Sequence, residues 1–234
     1  TNVIHPELSL ISNIAYDHMN ILGNTLTQIA GEKAGIIKKG VPVIISQKQE
    51  EVAEVFTKKA AEQQSKIIFA SEEWSIKKSR SPQNSPEYLK VDINRKNDTD
   101  PPYFSFQSLE LDLTGTYQLK NLGGVLSTVK QLRELGYKIS DQNITEALRQ
   151  VKSLTGLMGR WQMLQASPLV ICDTGHNEDG IREVLKNIEQ TSFKQLHMVI
   201  GMLRDKDSSG ILKMLPENAI YYFCQPDLPR AKPA

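Results

Sequence analysis

With 234 residues and 39% hydrophobic content, the chain has apolar material for one large or two small packed cores. Its 28 Lys+Arg against 27 Asp+Glu leave a net charge of +1, which excludes a surface that gathers polyanions by overall field; a nucleotide would have to be held by local groups. No apolar run reaches the length of a membrane span and residues 1–6 carry no signal region, so the sequence predicts a soluble, cytoplasmic monomer whose partners are small molecules, with no nucleic acid and no membrane.

Taken in chain order, residues 8–14 read as a strand with Asp17 and His18 at its carboxyl end, where ligands collect in open α/β sheets. Gly23 follows, then a helix in which Thr25 and Gln28 fit a capping box and Leu26, Ile29, Ala30 and Ala34 recur at helical spacing. Lys33 falls on a different face of that helix, and Gly35 and Gly40 close it. Residues 41–45 predict a second strand, residues 50–63 a helix with Val52, Val55, Phe56 and Ala60 inward, and residues 66–70 a third strand. This βαβαβ order predicts a parallel sheet. Between residues 74 and 106 the pattern breaks into Lys, Arg, Asn and Asp with Pro82, Pro86, Pro101 and Pro102; short β segments at 88–93 and 105–113 are expected there, and mobile loop elsewhere. Helices at 118–136 and 140–151 follow, the second with Ser140 as N-cap.

A second alternation starts after Ser153: strands at 169–172, 197–201 and 219–224, with helices at 179–189 and 208–215 between them. It predicts another parallel α/β unit and places the domain boundary near Leu154–Met158, giving domains 1–156 and 157–234. Cys172 and Cys224 end apolar runs and read as buried core thiols, neither a disulfide nor metal ligands.

Polar clusters recur where such folds place chemistry. On its own, Asp17-His18 fits a solvated turn with a helix-capping histidine. The whole stretch, however, with Asp17, His18, Leu22, Gly23, Thr25, Ile29, Ala30, Glu32 to Ile36, Lys38, Gly40, Pro42 and Val43, resembles the folylpolyglutamate synthase/dihydrofolate synthase family of the Mur ligase superfamily. Three further clusters resemble the same family. Gly115-Thr116-Tyr117-Gln118-Leu119-Lys120-Asn121 matches a segment whose asparagine is implicated in holding adenine, although Tyr117 replaces a histidine; helix capping is the alternative for Asn121. Met158-Gly159-Arg160 matches the interdomain Pro-Gly-Arg, whose arginine suits phosphate oxygens or an interdomain salt bridge. Asp173-Thr174-Gly175-His176-Asn177 matches Asp-Gly-Ala-His-Asn, and Gly201 to Asp207 matches a segment that places Lys206.

The resemblance implies a fold and a set of roles. The fold is α/β: part of a Mur-ligase-type central ATPase domain, a parallel sheet plus a small antiparallel region, followed by part of a Rossmann-like ligase domain. The cofactors implied are ATP and magnesium, and the substrates L-glutamate and dihydropteroate or a folate. Asn121, Arg160 and Asp173 are expected to bind the nucleotide, with Asp173 on the ribose; His18, Lys33 and His176 are expected at the catalytic end; His176 and Lys206 are expected to meet substrate, Lys206 through the glutamate carboxylate or else as a solvated helix start. His18 and a carbamylated Lys33 would be metal ligands. The family's Gly-Thr-x-Gly-Lys-Gly-Ser phosphate loop does not occur in the 234 residues, so the chain by itself is expected to be inactive. Another Mur-type amino-acid ligase, or a non-catalytic nucleotide-binding or scaffold module, are the alternatives.

Overall fold

The computed structural model describes residues 4–17, 19–80, 87–96, 105–202, 209–225, 227, 229 and 232. The chain divides into two compact units, Thr1–Cys172 and Asp173–Ala234.

The first unit begins with a three-stranded parallel sheet, β1 (Ser9–Ile11), β2 (Val43–Ile45) and β3 (Ile67–Phe69), in the order β1-β2-β3. Helix α1 (Met19–Leu22) and helix α2 (Leu26–Ala34) connect β1 to β2, and α3 (Glu50–Glu62) connects β2 to β3. The expected βαβαβ order is thus present. Central β2 is Val-Ile-Ile without alternation because both of its faces are covered. Val43 and Ile45 enter a core with Ile29 and Ala30 of α2 and Val52, Phe56 and Ala60 of α3. Ile44, pointing the other way, joins a second core with Trp74, Val91, Ile93, Leu122 and Leu126.

That second core is roofed by an antiparallel sheet of β4 (Trp74–Lys78), β5 (Leu89–Arg95) and β6 (Phe106–Leu111), entered through the short helix α4 (Ala70–Glu73). The segments expected at 88–93 and 105–113 correspond to β5 and β6. Trp74–Lys78, expected as irregular chain, is instead a strand paired with β5 from Trp74↔Arg95 to Lys78↔Val91. Its Lys77 and Lys78 are exposed and hide the local alternation, and the pairing that makes it a strand is non-local.

Helices α5 (Gln118–Glu134) and α6 (Asp141–Arg149) pack on this core. Ser140 caps α6 by accepting from the Asn143 N–H, in a capping box. The indole N–H of Trp74 donates to Ser127 Oγ at 2.8 Å, Ser127 donates to Glu73 Oε2 at 2.6 Å, and Lys130 pairs with Glu73 Oε1 at 2.9 Å. This chain fastens α5 to α4 and β4 inside a core that would otherwise leave the indole nitrogen unsatisfied.

The short helix α7 (Val151–Thr155) leads to a hairpin of β7 (Gln162–Ala166) and β8 (Leu169–Cys172). Residues 169–172 were expected in a parallel sheet of the second unit; they pair antiparallel with β7. The turn Ser167-Pro168 brings the two strands back on themselves, and this hairpin separates the expected junction at 156/157 from the division at 172/173.

The second unit contains α8 (Glu178–Glu189), β9 (His197–Ile200), α9 (Ser209–Met214) and β10 (Ile220–Phe223). Strands β9 and β10 are parallel, in register Ile220↔His197 to Phe223↔Ile200. Cys172 is half-buried and Cys224 exposed, both free; the expectation of core thiols fails for Cys224 because the Ile220–Phe223 strand before it is itself largely exposed.

Candidate functional site

The loop after β1 carries the first cluster. Lys33 lies in the last turn of α2, where a cation complements the helix dipole, and is half-buried. Its Nζ donates to the Asn13 carbonyl at 3.2 Å. The next residue, Ile14, is held by Gln49: the Ile14 N–H donates to Oε1 at 2.7 Å, and Nε2 donates to the Ile14 carbonyl at 2.8 Å. Asp17 is half-buried at the end of this loop, and His18 lies outside the described residues.

The start of α2 is fixed by the expected capping box. Thr25 Oγ1 accepts from the Gln28 N–H at 3.2 Å, while Gln28 Oε1 accepts from the N–H groups of Asn24 at 2.8 Å and Thr25 at 3.2 Å. Gly23 has φ +103°, and a Cβ there would fall 2.6 Å from Gln28 Cβ, so only glycine allows the Gln28 side chain to fold back.

No three His, Cys, Asp or Glu side chains among the described residues are grouped to hold a metal ion. Lys33 as an amine donates rather than ligates, so the described residues alone do not compose a divalent-cation site.

Two other clusters, 38 or more residues apart in sequence, come together within the first unit. Thr114 Oγ1 donates to the Trp161 carbonyl at 3.3 Å. A Cβ on Gly115 would sit 2.8 Å from the Tyr117 ring and 3.0 Å from Trp161 Cβ, so the absence of a side chain lets the segments seat against each other. Asn121 is in the first turn of α5, exposed, and its Nδ2 donates to Gln118 Oε1 at 2.8 Å. It is not the cap: Tyr117 is the N-cap and makes no side-chain cap bond.

Arg160 is exposed, with Nη1 donating to the Gly159 carbonyl at 3.2 Å. The backbone is left-handed on either side of it, Gly159 at φ +67° and Trp161 at φ +50°. Gly159 N–H donates to Gln162 Oε1 at 2.9 Å. Upstream, Asp112 is 7% exposed and its Oδ2 accepts from the Lys152 N–H at 2.8 Å. It caps α7 from a distance, since Gln150, the N-cap, makes no side-chain bond of its own.

In the second unit, Asp173 is half-buried and its Oδ1 accepts from the Gly175 N–H at 2.8 Å, folding the loop into an Asx turn. His176 is exposed with Nδ1 3.0 Å from the Thr174 carbonyl. A carbonyl only accepts, so Nδ1 is the donor in this contact. Asn177 caps α8 by accepting from the Gly180 N–H at 2.8 Å. Lys206 lies outside the described residues.

The Lys33 loop, the Asn121–Arg160 pair of segments and the Asp173–Asn177 loop are thus each built by side-chain-to-backbone bonds. Gln49 and Asp112 were not singled out from sequence. The signal for Gln49 is a glutamine at a helix N-cap, a poor capping residue.

The chain is similar to known proteins along nearly its whole length. Residues 159–234 match the family described as Mur ligase, glutamate ligase domain. The chain is 32% identical over 241 residues to the dihydrofolate synthase/folylpolyglutamate synthase of Bacillus subtilis (strain 168), covering 99% of this chain and 51% of that protein. It is 28% identical over 236 residues to the folylpolyglutamate synthase of Lacticaseibacillus casei, covering 100% of this chain and 52% of the relative. Along nearly its whole length the chain is thus similar to folylpolyglutamate synthases and dihydrofolate synthases, and residues 159–234 match the glutamate ligase domain of Mur ligases.

Solved folylpolyglutamate synthases carry the same fold. The apo form of the L. casei folylpolyglutamate synthase superposes with a TM-score of 0.78 at 25% identity, covering 99% of this chain and 53% of that one. A folylpolyglutamate synthase complex with AMPPCP and folate gives 0.80 at 26% identity, covering 95% and 52%. The chain spans about half the length of the family members it matches. The glutamate ligase domain match opens at Gly159, beside Arg160.

Proposed function

We propose that the protein is an ATP-dependent amide ligase that adds L-glutamate to dihydropteroate, to a folate's terminal γ-carboxylate, or to both. The observation that carries this reading is the seating of Thr114 and Gly115 against Trp161, which joins the segment leading into α5 and Asn121 to the residue that follows Arg160. The relative solved with AMPPCP and folate supports both a nucleotide and a folate as ligands. The named relatives favour the folate branch over other Mur-type ligases.

The chemistry follows from the substrates. The acceptor's carboxylate oxygen attacks the γ-phosphorus of ATP and ADP leaves, giving an acyl phosphate. The neutral amine of L-glutamate attacks the acyl carbon, and the tetrahedral intermediate expels phosphate as the nitrogen loses a proton. The protein's part is positioning and charge neutralisation. Asn121 offers a donor and an acceptor to adenine, Asp173 accepts from ribose hydroxyls, and Arg160 neutralises phosphate oxygens. In the neutral ring, Nε2 of His176 is an acceptor at the reacting end, and Lys206 pairs with the carboxylate of the incoming glutamate. His18, with Lys33 if carbamylated, would hold a magnesium ion, which would supply neutralisation of phosphate charge.

The division of labour is 1–156 for ATP and 157–234 for glutamate ligation, supported by the glutamate ligase match from residue 159. The same reading takes the enzyme as a cytoplasmic monomer acting on small molecules; the net charge of +1 offers no overall field for a polyanion, and no helix among the described residues is long and apolar enough to cross a membrane. Lys33→Ala tests the assignment: in the intact gene product it should abolish glutamate addition while leaving the circular dichroism spectrum unchanged. Full retained activity would sink the assignment.

A further inference from the structure

We propose that Gln49 is a positioning residue for the phosphate end of the site, acting through the loop that joins β1 to Asp17. The proposal rests on the ligase reading above. Pairing of β1 with β2 ends where the Ser46 N–H donates to the Ile11 carbonyl at 2.8 Å. Three residues later Ile14 is 2% exposed, so its backbone groups are out of reach of water and need partners. The Gln49 carboxamide supplies both. Its oxygen takes the Ile14 N–H at 2.7 Å and its nitrogen gives to the Ile14 carbonyl at 2.8 Å, reproducing with one side chain what a neighbouring strand would provide.

The identity of the residue fits this task and not the one its position suggests. Gln49 is the N-cap of α3, where Ser, Thr, Asp or Asn would cap; it makes no side-chain cap bond. Its main-chain carbonyl starts the helix by accepting from Val52 and Ala53 N–H at 3.0 and 2.9 Å, which frees the side chain to reach across to Ile14. The adjacent Asn13 carbonyl is the acceptor of Lys33 Nζ at 3.2 Å. Consecutive carbonyls are therefore held from two helices, and loss of the Gln49 bonds lets Asn13, Lys33 and the following Asp17 move together.

The test uses the intact gene product with Gln49→Met, which keeps length and removes the amide, and Gln49→Glu, which keeps an acceptor for the Ile14 N–H but sets a carboxylate oxygen against the Ile14 carbonyl. Binding of AMPPCP with Mg2+ is measured by calorimetry below the unfolding temperature of every variant, beside the KM for L-glutamate and the thermal midpoint. The dissociation constant for the nucleotide should rise about tenfold in both variants, the loss of roughly one or two net hydrogen bonds, while the KM for L-glutamate stays within about twofold. A lower thermal midpoint with unchanged nucleotide binding would overturn the proposal, because the clamp would then serve the fold alone. A wild type that fails to bind the nucleotide would overturn it as well. A wild type that binds nucleotide in a Gln49-sensitive way yet shows no glutamate-dependent ADP release supports the positioning role and refutes the ligase reading.

Discussion

Gly124 gives the sharpest mechanical test of how α5 is seated. The residue is buried in the helix that carries Asn121, and a Cβ built on it would lie 2.1 Å from Ser46 Oγ, 3.1 Å from Ser46 Cβ and 3.2 Å from Leu10 Cδ1. Rotation of the Ser46 hydroxyl removes the first contact but not the other two, which come from the end of β2 and from β1. Gly124→Ala therefore sets two effects against each other. Helix propensity favours alanine by about 1 kcal/mol, whereas overpacking a tight contact costs about 1–3 kcal/mol. The contact wins, and the net expectation is a loss of up to about 2 kcal/mol. Gly31 in α2 is the control, because a Cβ there meets nothing within 4 Å. Gly31→Ala should stabilise by up to about 1 kcal/mol. Urea unfolding followed by tryptophan fluorescence reports both, since Trp74 sits in the core beside α5. Adding Ser46→Ala to Gly124→Ala should leave most of the loss in place, because Ser46 Cβ and Leu10 Cδ1 remain. Equal stabilisation by the two glycine substitutions would refute the close seating of α5 on the sheet.

Trp74→Phe should cost about 1–3 kcal/mol by leaving the fully buried Ser127 without its indole donor, and in a double-mutant cycle with Ser127→Ala the two losses should fail to add; additivity would count against the network. Asn121→Ala in the intact gene product should raise the KM for ATP about tenfold with the KM for L-glutamate within about twofold; an unchanged KM for ATP removes Asn121 from the adenine site. Glu134 offers a pH test. Burial raises its pKa, but the Lys66 ammonium at 3.0 Å, the Gln131 amide and the Lys130 charge outweigh this and hold it below the ordinary carboxylate value. A lowered folded pKa means a contribution present above the unfolded pKa and lost as pH falls through the folded one. The difference in urea midpoint between wild type and Glu134→Gln should thus be constant near neutrality and shrink from about pH 5 downward; a difference that grows on acidification would show the opposite sign of shift.

The parallel half of the fold was legible because its elements carry their own local signals. Thr25 and Gln28 announce a helix start, Ile29, Ala30 and Ala34 its buried face, and Val43, Ile44 and Ile45 a strand covered on both sides. Strand β4 was not legible, because Trp74 and Ile76 become a strand only when β5, many residues later, pairs with them. The hairpin of β7 and β8 hid for the same reason: Leu169 to Cys172 has the composition of a core parallel strand, and its antiparallel partner is set by a turn. At the site, the residue types at Lys33, Asn121, Arg160, Asp173 and His176 stood out as chemical groups. The bonds that place them did not. Gln49 clamps Ile14 from 35 positions away, Asp112 caps α7 from 40, and Thr114 meets Trp161 across 47, separations at which no sequence periodicity speaks.

The proposed ligase couples ATP cleavage to formation of an amide with glutamate. The direct measurement supplies the intact gene product with ATP, Mg2+, labelled L-glutamate and either dihydropteroate or tetrahydrofolate, and follows ADP together with label in the pterin product. One ADP is expected per glutamate joined, and no ADP above background when either glutamate or the pterin is omitted. ADP release indifferent to both, or no labelled product with either pterin, would contradict the ligase reading.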